Sequence, residues 1–167
     1  MVRYVSPPAG ILSPVMRIES RLEEWNPARI RAALAGLPAA DGYRLVVKPL
    51  RYRTRPHLTA YCSFDDHAIV VQVPEPWRAF WERVPYRAKR IRGRGFRFRW
   101  EFRDVRFRTK REVIRFLYLH EWYHWYLRER LGKKSAAETA CDRFALAHFR
   151  RRTPIEIPEG AATARIG

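Results

Sequence analysis

Among its 167 residues the chain has two cysteines, two methionines, five lysines and only 17 acidic groups. Each scarcity excludes something. Cys62 and Cys141 stand far apart and outside any C-x-x-C pair, so neither a disulfide framework nor a cysteine-only metal knuckle is available, and both read as small buried hydrophobes. No apolar run approaches the roughly 18 residues that span a bilayer. Pro7, Pro8 and Pro14 fall where a signal peptide would carry its apolar stretch, so no membrane partner and a cytoplasmic location are expected. Internal repeats and low-complexity segments are absent.

What is present is positive charge and aromatic surface. Lys plus Arg number 34, of which 29 are arginine, giving a formal net charge of +17, and aromatic residues make up 14%. With 47% hydrophobic residues the chain can build a core and is no disordered basic tail. The excess suggests a polyanionic neighbour, although arginine enrichment also follows from genome composition or growth at high temperature. It is concentrated in one place. Between Arg87 and Arg111 twelve cations face Glu101 and Asp104, a net +10 of the +17.

The length suits one domain over residues 1–152, with 153–167 as a small-residue, proline-containing and loosely ordered tail. Asn26-Pro27 reads as a helix N-cap followed by proline at the first helical position, with a stop near Gly36. Tyr43 to Arg53 reads as a strand that Pro49 restricts to a sheet edge or a break. Leu58 to Ser63 and His67 to Val73 form a hairpin about Phe64-Asp65-Asp66, and Trp77 to Arg83 a short helix. Phe96, Phe98, Trp100 and Phe102 alternate with charged residues, which predicts a strand with an aromatic core face. Val105 and Phe107 continue on the opposite parity and call for a bulge or tight turn at Arg103-Asp104.

At Thr109 the period becomes helical. Thr109 and Glu112 match a capping box, and the stripe Val113, Phe116, Leu117, His120, His124, Leu127 and Leu131 runs to Gly132. Ser135 with Glu138 matches a second capping box, opening a helix to about Arg152.

Inside the first of these helices stands His120-Glu121-Trp122-Tyr123-His124, H-E-x-x-H. Four residues advance a helix by roughly 400° and 6 Å, so both imidazoles leave one face and can hold one zinc ion per chain. Glu121 then lies beside the ion, where it can act as general base towards an attacking water. A third ligand is required. Glu138 is the candidate, with Asp142 one turn later either accepting the free N–H of His120 or serving as the ligand itself. A capping box on Ser135 is the alternative role for Glu138. His57, His67 and His148 read as structural or exposed.

The H-E-W-Y-H helix and the following A-E-T-A-C-D-R-F-A resemble the zincin metallopeptidases, in particular the gluzincin pattern H-E-x-x-H followed by E-x-x-x-D. The layout over Leu58 to Arg152 is similar to SprT-like domains, which use histidine as third ligand where this chain has Glu138. The resemblance implies an α+β fold in which a small, mostly antiparallel sheet packs on the H-E-x-x-H helix and an antiparallel second helix. It also implies peptide-bond hydrolysis of a protein or peptide substrate, with His67 to Val73 as the edge strand that pairs with it. Tyr123, Tyr126, Arg143 and His148 are the candidates near in sequence for stabilising an oxyanion. The alternative is a basic nucleic-acid-binding protein whose metal site is structural or inactive, with Arg92, Arg94, Arg97, Arg99 and Arg103 as contacts. The two can coexist, since SprT-like proteases act on proteins attached to DNA.

Overall fold

The computed structural model describes residues 15–93, 95, 97–134, 138–155 and 157. Its elements run β1 (Ile18–Ser20), α1 (Pro27–Ala33), β2 (Arg44–Arg51), β3 (Thr59–Ser63), β4 (Ala68–Glu75), β5 (Phe80–Ile91), β6 (Arg97–Phe107), α2 (Lys110–Trp125) and α3 (Glu138–His148), with a widened π turn at Tyr126–Arg130 after α2. The fold is α+β with three helices and two sheets. Among the described residues no helix is long and apolar enough to cross a membrane.

The first unit is β1, α1, β2. Asn26 caps α1 by accepting from the Arg29 N–H at 2.8 Å, Pro27 takes the first helical position, and the helix returns the chain so that β2 pairs parallel with β1. Pro49 is accommodated inside β2 for a local reason. The N–H groups of alternate β2 residues, beginning at Leu45, point towards β1, but β1 ends at Ser20, opposite Val47. The missing donor of Pro49 thus faces a position with no partner strand.

The main sheet has the order β1-β2-β4-β3, with β1, β2 and β4 parallel and β3 antiparallel to β4. It is therefore mixed, with two of three pairings parallel, and not the mostly antiparallel sheet expected. It also reverses the expected edge. His67 to Val73 falls in β4, which is paired on both sides, while β3 is the terminal strand. The run Ala68-Ile69-Val70-Val71 explains this: Ile69, Val71 and Val73 enter the main core while Ala68 and Val70 bury the opposite face with Val46. A strand apolar on both faces belongs inside a sheet.

Helix α2 lies across β4 and β3 and packs along α3. Thr109 Oγ1 accepts from the Glu112 N–H at 3.2 Å, and Glu112 accepts from the Arg108 N–H at 2.6 Å, a reciprocal cap displaced one residue outward. At the other end Gly132 adopts φ +63, a left-handed position that glycine reaches without a Cβ clash, and its N–H donates to the Arg128 carbonyl. The expected cap at Ser135 lies outside the described residues, and α3 ends at His148, short of Arg152.

Arg115, in the middle of α2, is 3% exposed. Its guanidinium donates to the carbonyls of Phe149 (2.6 Å), Ala33 (2.8 Å), Ala35 (3.1 Å) and Arg151. One cation thereby ties α2 to the end of α1 and to the chain leaving α3. The region beyond Arg152, expected to be loose, is fastened where it is described. Ile155 donates to the Gly36 carbonyl, and Ile155 and Ile157 pack on the core.

The largest departure is the segment from Phe80 to Phe107, a separate two-stranded antiparallel ribbon. Trp77 to Arg83 forms no helix, because from Phe80 the chain finds a ladder partner in β6. The irregularity falls at Tyr86 on β5, between Pro85 and Arg87, and β6 runs unbroken through Arg103-Asp104. Val105 and Phe107 are buried at the ribbon's base, while Phe98, Trp100 and Phe102 occupy the other face and are exposed. These three are therefore not core: among the described residues the ribbon packs on α3 through β5 and on α2 through β6, and their face of the distal ribbon stays exposed. Phe96 and Arg94 lie outside the described residues.

Candidate metal centre

Helical geometry alone brings His120 and His124 together on α2, with ring centroids 4.9 Å apart and Nε2 atoms 3.1 Å apart. The crossing of α3 then brings Glu138. One of its carboxylate oxygens lies 3.2 Å from His120 Nε2 and the other 3.2 Å from His124 Nε2. Asp142, one turn along α3, places Oδ1 2.8 Å from His120 Nδ1. Of the two acidic candidates, Glu138 meets the convergent nitrogens and Asp142 meets the far side of one ring.

A carboxylate hydrogen-bonded to Nδ1 holds the ring proton there and leaves the Nε2 lone pair facing His124 and Glu138. His120 Nε2 and the Glu138 carboxylate are then acceptors that face His124 Nε2. A regular tetrahedral zinc site with bonds of about 2.0 to 2.1 Å has ligand-to-ligand edges of roughly 3.3 Å. The 3.1 Å between the two Nε2 atoms is close to that edge, and the Glu138 carboxylate reaches each of them with a different oxygen, so the donor set suits a cation held between the two rings.

Cys141 is the small buried residue expected, and it also stands next to the two imidazoles. His120, His124 and Cys141 form a group whose donor atoms all lie within 4.8 Å of one another and could hold a metal ion. Cys141 is fully buried three residues after Glu138 on α3, and burial together with the Glu138 carboxylate pushes its thiol well above the usual range. The signal was present in E-T-A-C-D, where a soft donor follows the candidate glutamate by nearly one helical turn.

The electrostatics separate the roles. For His120 burial works against the cation, but the bond to Asp142 and the surrounding carboxylates outweigh it and raise the pKa. For His124 burial and the neighbouring His120 lower it. Glu121 is 6% exposed, and burial lifts its carboxyl to about 7, only partly offset by the His120 cation and the Cys62 backbone N–H.

Edge strand β3 runs beside these groups. A cleft of about 530 Å³ is lined by Leu58 to Cys62 on one side and by His120, Glu121, His124, Glu138 and Asp142 on the other. Tyr123, Tyr126, Arg143 and His148 do not line it. Tyr123 stacks on Phe144 at 4.6 Å, Tyr126 on Trp122 at 5.2 Å, His148 packs on Phe144, and Arg143 donates to the Tyr86 carbonyl. The basic residues are elsewhere too: Arg97, Arg99 and Arg103 lie on β6 with Arg92 near the ribbon tip, and none lines this cleft. His57 stands against the Arg55 carbonyl and His67 sits at the β3–β4 turn with φ +48.

Comparison of the chain with protein-family models, with curated proteins and with solved structures gives no match.

Proposed function

We propose that this protein is a zinc-dependent metallopeptidase of zincin type. The observation that carries the proposal is the convergence of His120 Nε2, His124 Nε2 and the Glu138 carboxylate at mutual distances of 3.1 to 3.2 Å, with Glu121 alongside. His120, His124 and Glu138 would hold the ion. Zinc bound there would supply a Lewis acid and a water of lowered pKa. Asp142 fixes the His120 tautomer. Glu121 takes a proton at its carboxylate from the attacking water and returns it to the leaving amine. The free edge of β3, in place of the strand first expected, pairs with an extended substrate and sets its register over the cleft.

The experiment is elemental analysis joined to a cleavage assay. The purified protein should carry about one zinc per chain, lost in His120→Ala. Glu121→Gln should retain zinc and lose cleavage of an unfolded protein substrate. Absence of metal after zinc loading, or full cleavage by Glu121→Gln, rejects the proposal. A second reading, a basic nucleic-acid-binding protein with a structural metal site, is favoured by the exposed β5–β6 ribbon; zinc retained with no cleavage by the wild type would support it.

A further inference from the structure

The ribbon leaves in solvent what a folded chain ordinarily buries. Phe98, Trp100 and Phe102 are 57%, 53% and 40% exposed, and Trp81, farther down the same face opposite Arg106, is 60% exposed. Large aromatic rings in a contiguous exposed row mark a binding surface. Their surroundings are cationic. Arg90 stands opposite Phe98, and the Arg83 guanidinium lies 4.5 Å from the centre of the Phe102 ring.

At the base of the ribbon a cleft of about 510 Å³ opens between β5–β6 and α3. Five arginines line it, Arg103, Arg106, Arg108, Arg143 and Arg150, against one acidic residue, Asp104. Trp81, Asp104 and Arg106 belong both to this cleft and to the aromatic face, so the two are one continuous surface. This cleft is separate from the one beside His120 and shares no residue with it.

We propose that this surface binds single-stranded nucleic acid, with bases stacked on Phe98, Trp100 and Phe102 and phosphates drawn along the arginine cleft. Alternate side chains on a strand stand about 6.8 Å apart. That is twice the roughly 3.4 Å rise per nucleotide of a stacked strand. Successive rings therefore suit bases splayed from an extended strand and not bases locked in a duplex. The arginines supply the sequence-independent attraction and the rings supply stacking, the combination by which single strands are held without base-specific contacts. An anionic membrane is disfavoured by charge on both faces of the ribbon, with Lys89, Arg99 and Glu101 on one side and Arg83, Arg90 and Asp104 on the other.

The proposal is independent of peptide cleavage, and its test uses none. Fluorescence anisotropy of the full chain would be followed with labelled oligo-dT and oligo-U of about 15 nucleotides, within the site sizes of such surfaces. A duplex of the same length and phosphatidylserine vesicles complete the panel. Single strands should bind about tenfold or more tighter than duplex, with affinity falling steeply between about 50 and 200 mM salt. Trp100→Ala should weaken binding about tenfold without altering the salt slope, while Trp100→Phe restores most of it. Arg108→Gln should reduce the slope by about one. Both positions are exposed, and unchanged thermal melts confirm that the variants fold. Equal binding of duplex and single strand with no effect of Trp100→Ala overturns the proposal, as does binding to vesicles but not to oligonucleotides, or no binding at the lowest salt.

Discussion

Asp142 on α3 lies 2.8 Å from Nδ1 of His120 on α2, on the side of the ring away from Glu138 and His124. That contact decides which nitrogen of His120 carries a proton and which is left to bind. Asp142→Ala should therefore lower zinc affinity about 10- to 100-fold while the protein stays folded. Competition against a fluorescent chelator measures this, and an unchanged dissociation constant would remove Asp142 from the role.

In the proposed metal site Glu138 and Cys141 are the two candidates for the third ligand. The carboxylate is within 3.2 Å of both imidazoles, whereas the thiol is fully buried and its ionisation strongly opposed. Glu138→Ala should thus lose zinc, and Cys141→Ser should keep it. Cobalt substitution supplies an independent reading: with Glu138 as ligand the spectrum lacks a thiolate charge-transfer band, and its appearance would transfer the role to Cys141.

Arg115 should matter more to stability than its distance from the cleft suggests. Arg115→Met leaves four backbone carbonyls without their buried donor, and a loss of about 3 kcal/mol is expected in urea unfolding followed by circular dichroism. Zinc stoichiometry of the folded fraction should not change.

Burial, followed by the Glu121 and Glu129 carboxylates, pushes the Cys62 thiol up to about 12. The neutral thiol is thus the form the fold stabilises. That contribution is complete below the ordinary thiol range of about 8.5 to 9 and is lost as pH rises towards 12. At pH near 8, Cys62 should react with a disulfide reagent at least a hundredfold more slowly in the native protein than in denaturant. In Cys62→Ser the fall in urea midpoint above pH 9 should be shallower than in wild type.

Local signals were legible wherever the physics is local. The Asn26-Pro27 start, the Thr109 cap and the turn between β3 and β4 all form where residues a few positions apart specify them. The parity argument for Phe96 to Phe107 also rested on a real alternation, but its conclusion that the aromatic side is core did not follow. Period two shows that a strand has two different faces. It does not show that another element covers either one, and among the described residues Phe98, Trp100 and Phe102 stay exposed.

The edge strand illustrates the same limit. The resemblance implies His67 to Val73 as the edge, whereas Ala68 and Val70 are buried on the face opposite Ile69, Val71 and Val73, and the strand is paired with β2 on one side and β3 on the other. Cys141 was passed over because a lone cysteine has no spacing pattern of its own.

By itself the sequence determined that His120 and His124 share a helix face with Glu121 beside them, because 3.6 residues per turn is a property of the backbone. It also determined that most of the net charge lies between Arg87 and Arg111. Only the tertiary structure decided that Glu138 meets both imidazoles while Asp142 meets the far nitrogen, that β3 and not β4 borders the cleft, and that the aromatic row faces water. Those outcomes depend on how α3 crosses α2 and on which strand pairs with which. They are long-range packing choices that no local spacing encodes.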